Sequence, residues 1–272
     1  IPMIIFGVIT EESIIKLFLA GIGPGLLLVV MFIVYSLAYA RFSGRYQPMP
    51  KATWDERRRT GVRALPTFAL AAVIVVGLYA GVFTPTEAAA VGFLGALVVT
   101  GPVLRTLDWP KLKAATSEAM VTTIAILLIV AGAKVFGKAI TLYRIPQDIS
   151  TFIATNIDSA GLFILVVSGV LLVMGLVLEA LSMMLIMVPV LAASLVTLGI
   201  DNIWFGVYFV ILVECALITP PVGLNLYVIQ AVGRARMTEV AAGVWPFLIM
   251  MLICVALIYA FPDIALYIPF KL

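Results

Sequence analysis

Leu217-Ile218-Thr219-Pro220-Pro221-Val222-Gly223-Leu224-Asn225 lies in the middle of an apolar stretch, Phe205 to Ala231, that is long enough to span a bilayer. Two consecutive prolines remove two backbone donors and clash with the preceding turn, so no continuous helix passes through. In water such a break is harmless. In lipid each unsatisfied carbonyl or amide costs several kcal/mol, so broken backbone is confined to places where it lines a cavity or binds an ion. Secondary transporters build their sites from discontinuous helices of this kind. The break therefore points to a transporter.

Composition sets the frame. The 272 residues are 64% hydrophobic and 11% charged, against about 25% charged in a soluble domain. Continuously apolar runs of roughly 20 residues predict an all-α polytopic membrane protein and exclude a β-barrel, whose strands alternate apolar and polar side chains. The net charge of +3 is no nucleic-acid signature, because the basic residues cluster between apolar runs. The absence of histidine removes His metal sites, His-containing triads and His proton relays. Cys215 and Cys254 both lie in apolar runs and read as small buried hydrophobes rather than a disulfide or metal pair. The chain opens on Ile1-Pro2-Met3-Ile4 without a basic region ahead of a short apolar core. That start reads as the end of an earlier membrane segment rather than a signal peptide, so the chain is expected to lack an N-terminal part.

The expected apolar runs are Ile14–Ala40, Ala64–Phe83, Ala88–Leu104, Val121–Leu142, Leu162–Leu178, Met183–Leu198, Phe205–Ala231 and Val240–Phe261. Arg41, Arg45, Lys51, Arg57, Arg58, Arg59 and Arg63 crowd the loop after the first run. Arg105, Lys111 and Lys113 follow the third, and Arg234 and Arg236 follow the broken helix. Basic loops stay in the cytoplasm, which puts these three on one side. An even number of crossings must then separate the Arg105 and Arg234 loops. Leu162–Leu178 and Met183–Leu198 are short for a core of roughly 30 Å. Only Glu179–Ser182, with no basic residue, separates them. They are expected to form a re-entrant hairpin with a buried tip.

Tip and break then meet at one depth. The tip carries Gly175, Glu179, Ala180 and Ser182, and the break carries Glu214, Ala216, Thr219, Val222 and Asn225. A Na⁺ ion takes oxygen ligands, and unwound backbone supplies carbonyls without a buried counter-charge. Gly175 permits close backbone approach. Pro220 and Pro221 free the carbonyls one turn earlier, and Thr219 adds a hydroxyl. A half-helix starting near Val222 turns its positive end to the break, where a substrate carboxylate is stabilised; Asn225 can donate to the same group. Glu179 serves either a ligand role or a hydrogen bond that holds the tip together. For Glu214, more than a turn before the break, a helix–helix hydrogen bond is the simpler account. Lys134 and Lys138, four apart near the end of their span, are expected to snorkel. In Gly81-Val82-Phe83-Thr84-Pro85-Thr86-Glu87, either threonine can cap a helix whose first turn carries Glu87.

Taken together, these stretches resemble the large membrane subunit of the tripartite ATP-independent periplasmic (TRAP) transporters. The matching pieces, in order, are Gly81–Ala90 (GxFTPTEAAA), Ile145-Pro146-Gln147, Gly175 to Glu179 leading to Val188-Pro189-Val190-Leu191, Gly199-Ile200-Asp201 with Phe205-Gly206-Val207, and Glu214 to Asn225 containing TPPVGLN. The sequence departs from the family at Ala216, often glycine, and Val188, often threonine. The resemblance implies inverted repeats, each a hairpin and a broken helix, working by an elevator motion. It divides the chain into 1–12 (end of the first-repeat broken helix), 13–159 (transmembrane helices and loops), 160–231 (second-repeat hairpin and broken helix) and 232–272 (last transmembrane helix).

The implied activity is Na⁺-coupled import of an organic acid anion, a dicarboxylate, sialic acid or similar carboxylate, across the bacterial inner membrane. The implied partners are a small TRAP membrane subunit, a periplasmic solute-binding protein and membrane lipid, with no cofactor besides Na⁺ as coupling ion. The implied cation ligands are the carbonyls of Gly175, Ala216 and Val222 with Thr219. Glu179, Ser182, Pro220, Pro221, Gly223 and Asn225 are assigned to substrate or coupling. The alternatives are a Na⁺/dicarboxylate or citrate symporter that needs no binding protein, a membrane-embedded enzyme, and a non-transporting scaffold subunit. A neighbouring gene for a binding protein separates the first. The lack of a nucleophile–base set weighs against the second, and Na⁺-dependent uptake against the third.

Overall fold

The computed structural model describes residues 2–44, 51–156, 159–220 and 223–271. Every regular element among them is helical. Among the described residues, six segments are long and apolar enough to cross a membrane: α2 (Ile14–Phe42), α3 (Trp54–Tyr79), α4 with its π-helical extension (Pro85–Val103), α5 (Trp109–Leu142), α8 (Ala180–Thr197) and α11 (Met237–Ala260). The shorter helices are α1 (Pro2–Thr10), α6 (Ile145–Asn156), α7 (Ala160–Met174), α9 (Asn202–Leu217), α10 (Leu224–Gly233) and α12 (Asp263–Lys271). The chain is a multi-pass membrane protein.

Two compact units are formed, one from residues 1–38 and 128–272, the other from 39–127. The first is built around α9. Thirteen of its sixteen residues are buried, the signature of a helix that is apolar all round and therefore central. Helices α7, α8, α11, α12 and α1 pack on it, and α6 packs on α8. Phe6, Phe205 and Phe209 form one aromatic cluster with ring centroids 5.8–6.4 Å apart. Gly206 makes room for it, since a Cβ there would stand 2.7 Å from the Phe6 ring. Three polar side chains of α9 find partners inside the unit. The Trp204 indole donates to the Ile258 carbonyl at 3.1 Å, and the hydroxyls of Tyr208 and Ser168 share a 2.8 Å hydrogen bond. At the N-terminal end the Asn202 amide donates to Glu12 at 3.1 Å.

In the second unit α3 packs on α4. Glycines let the two backbones close, as is usual where helices meet in lipid. A Cβ on Gly77 would collide with Phe83, one on Gly95 with Leu70, and one on Gly92 would come within 3.1 Å of Ile74. The intervening turn needs Gly81, whose φ is +67°. Of the two candidate caps, Thr84 is the one used. Its hydroxyl accepts from the Glu87 amide and Glu87 bonds back to the Thr84 amide, a reciprocal capping box.

Several boundaries differ from those expected. Arg57, Arg58, Arg59 and Arg63 are not in a loop but on the first turns of α3, because a second capping box, Thr53 with Glu56, starts that helix at Trp54. Helix α5 begins at Trp109 rather than near Val121, with Asp108 accepting from the Lys111 amide at 2.9 Å. The segment 143–159, between two of the expected apolar runs, contains α6. The region 232–272 holds two helices, α11 and α12, separated at Phe261-Pro262.

Candidate functional site: hairpin tip and helix break

The expected interruption is present. Helix α9 ends at Leu217 and α10 begins at Leu224. The half-helix thus starts two residues later than Val222. Pro221 and Val222 lie outside the described residues. Proline at 220 and 221 supplies no amide for the carbonyls of Ala216 and Leu217, which would otherwise be bonded one turn on. The chain compensates in part by tightening. The Thr219 amide donates to the Ala216 carbonyl at 3.1 Å, and the Ile218 amide to the Cys215 carbonyl at 3.3 Å. The Ala216 carbonyl is therefore already engaged, with one lone pair left.

The Leu217 and Thr219 carbonyls behave differently. Neither accepts a backbone hydrogen bond among the described residues. Both converge on Gly223, where a Cβ would stand 2.8 Å from the Leu217 oxygen and 3.0 Å from that of Thr219. Glycine at 223 is thus required by close approach of two carbonyl oxygens. The Leu217 carbonyl was not singled out by the sequence reading, although its signal was present in Pro221, four residues on. The Thr219 hydroxyl donates to the Cys215 carbonyl at 2.7 Å, which orients its oxygen and leaves its lone pairs free.

Opposite the break, α7 ends at Met174, and Gly175 to Leu178 turn the chain into α8. Gly175 is buried against Ala216. A Cβ on Gly175 would collide with the Ala216 Cβ and stand 3.1 Å from its carbonyl carbon. Tip and break therefore touch at Gly175 and Ala216. Among the described residues the Gly175 carbonyl accepts no backbone hydrogen bond. Four residues further on, the Ser182 hydroxyl donates to the Glu179 carboxylate at 3.3 Å across the first turn of α8. Asn225 is half-buried on the first turn of α10, and Pro220 is half-buried in the break. The helix–helix hydrogen bond expected of Glu214 is not found: its half-buried carboxylate bonds to no described group. Lys134 is exposed and, with Glu11, Ile5, Leu185 and Pro189, lines a cavity of about 390 Å³.

Residues 1–264 match the family described as the tripartite ATP-independent periplasmic transporter, DctM component. The chain belongs to the DctM family. Among its relatives, the sialic acid TRAP transporter large permease protein SiaM of Vibrio cholerae is 34% identical over 99% of this chain and 63% of its own length. The C4-dicarboxylate TRAP transporter large permease protein DctM of Pseudomonas aeruginosa is 34% identical over 99% and 63%. The ectoine/5-hydroxyectoine large permease protein UehC of Ruegeria pomeroyi is 36% identical over 98% and 62%. The chain thus spans about three-fifths of the length of these DctM-family relatives. The family is one of transport permeases, not enzymes.

Proposed function

We propose that the protein containing this chain is the large permease subunit of a Na⁺-coupled TRAP transporter, importing an organic acid anion across the bacterial inner membrane. The observation that carries the reading is the set of open carbonyls at Gly175, Leu217 and Thr219 around the contact between tip and break. Neutral carbonyl oxygens suit a monovalent cation that must bind and leave, since no carboxylate of the site needs to be neutralised. The Thr219 hydroxyl adds one oxygen, the second lone pair of the Ala216 carbonyl another, and Val222 remains in the ligand set on the family resemblance. The positive end of α10 begins at the same break and favours a bound carboxylate beside the cation. Glu179, Ser182, Pro220, Pro221, Gly223 and Asn225 shape and couple that site. A re-entrant hairpin is supported by α7, which at 15 residues reaches about 22 Å, less than the roughly 30 Å of a bilayer core, although α8, at 18 residues, is itself long enough to cross.

The relatives' names supply the substrate range: sialic acid, C4-dicarboxylates and ectoines. They also support a small membrane subunit and a soluble periplasmic binding protein as partners. Uptake of radiolabelled succinate, N-acetylneuraminate and ectoine into proteoliposomes holding the full permease and small subunit tests this reading. Uptake of one of them should require both an inward Na⁺ gradient and the binding protein. Full uptake without Na⁺, or by the large subunit alone, would overturn it.

A further inference from the structure

A groove of about 420 Å³ lies between α4 and the start of α5, within the second unit. Its walls are largely apolar, from Phe93 and Leu97 of α4 and Leu112 and Met120 of α5. Trp109 and Lys113, toward the loop that joins the two helices, add an indole and an ammonium, and Thr116 and Ser117 follow one turn further along α5. On α5 the residues 109, 113, 117 and 120 recur every three or four positions and so share one face. The groove is therefore hydrocarbon-like along most of its length, with its one lining cation among the described residues, Lys113, toward the loop end, the order in which a glycerophospholipid presents acyl chain and phosphate.

The charge at the cationic end is uncommitted. Lys111 is engaged: its ammonium lies 2.9 Å from the Asp108 carboxylate and donates to the Thr106 carbonyl at 2.8 Å. Lys113 makes no ion pair among the described residues. Glu118 projects from the other side of α5, away from Lys113 and Ser117. Arg105 and Lys113 thus leave the loop end with an excess of positive charge. Trp109 is 75% exposed, as suits an indole in the headgroup region. The backbones of α4 and α5 do not close on each other as those of α3 and α4 do, so the groove stays open between them.

We propose that this groove is a binding site for one anionic glycerophospholipid of the adjoining leaflet. Lys113 holds the phosphate, the Ser117 hydroxyl donates to a phosphate or glycerol ester oxygen, and one acyl chain lies along Phe93, Leu97 and Met120. The charge on Lys113 selects an anionic headgroup over a zwitterionic one, because no carboxylate of the groove is free to meet a choline or ethanolamine.

Fluorescence quenching in vesicles tests the proposal. The full permease and its small subunit are reconstituted with phosphatidylglycerol or phosphatidylcholine brominated near the glycerol end of the acyl chain. The Trp109 signal is taken as the difference between the native protein and Trp109→Phe. Brominated phosphatidylglycerol should quench that signal at a several-fold lower mole fraction than brominated phosphatidylcholine. Lys113→Gln should abolish the preference, while Lys111→Gln, which removes the committed lysine, should keep it. Equal quenching by both lipids in the native protein would overturn the proposal. So would a Trp109 signal that neither lipid reaches, which would mean that a protein segment, such as a helix of the small subunit, fills the groove.

Discussion

Helices α5 and α9 both carry long apolar runs and stand in opposite environments. Helix α9 buries thirteen of its sixteen residues, whereas on α5 only Ile140 is buried among the described side chains. Their polar groups differ accordingly. The Trp204 indole and Tyr208 hydroxyl of α9 reach across to Ile258 and Ser168. Thr116, Thr122, Thr123 and Thr141 of α5 bond back to carbonyls of their own helix, four residues earlier. A polar group facing other helices needs a partner from outside; one facing lipid satisfies itself locally. Hydropathy measures neither, and the destination of the side-chain hydrogen bond separates the two kinds of helix.

The comparison breaks first at large buried side chains. Phe209→Ala should cost about 3–5 kcal/mol in unfolding of the full permease, by lost contact and a residual cavity in the aromatic cluster. Leu128→Ala on α5, where the side chain is 73% exposed, should stay within about 0.5 kcal/mol. Thermal unfolding in detergent measures both, and comparable losses at the two positions would end the distinction. Gly175→Ala should come next, at about 1–3 kcal/mol, because the added methyl collides with Ala216. Gly132→Ala on α5, with nothing within 4 Å of the new Cβ, should be neutral or slightly stabilising. Trp204→Phe should cost about 1 kcal/mol by leaving the Ile258 carbonyl unpaired. A change smaller than that of Thr123→Val would show that the inter-helix bond carries no more than a self-bonded hydroxyl.

The smallest effect lies outside the membrane, at Asp108. Its carboxyl is held below the ordinary carboxylate value by the Lys111 side chain first and the Lys111 amide second. A lowered folded-state value means that its contribution is present above the usual carboxylate range and is lost as pH falls through the folded-state value. Asp108→Asn should therefore flatten the acid limb of the melting-temperature profile and leave the neutral region nearly unchanged.

The sequence carried the local signals well. Pro220 and Pro221 fixed the break between Leu217 and Leu224, and Thr84 with Glu87 fixed the start of α4, because proline and capping chemistry act within one turn. Hydropathy placed the spans but misjudged their ends at α3 and α5. There the helix continues through charged turns held by Thr53–Glu56 and by Asp108, while an apolar window stops at the first charges. Helices α6 and α12 were hidden for the related reason that short amphipathic helices owe their stability to packing partners. At the site, the need for Gly175 and the meeting of tip and break were legible, yet the direct contact was not: Ala216 lies 41 positions away, and only the fold sets its Cβ against Gly175. Glu12 with Asn202, and Ser168 with Tyr208, are contacts of the same long-range kind.

The central claim, that the contact between tip and break holds the coupling cation, turns on Thr219. In the full permease with its partners, Thr219→Val keeps the volume while deleting one oxygen, and Thr219→Ser keeps the oxygen. Loss of one ligand to a buried cation should cost roughly 1–3 kcal/mol. The half-saturating Na⁺ concentration for uptake should then rise about 5- to 150-fold in Thr219→Val, with little change in Thr219→Ser. If the hydroxyl only braces the end of α9 through Cys215, Thr219→Val would lower the melting temperature and leave the Na⁺ titration where it is, contradicting the account.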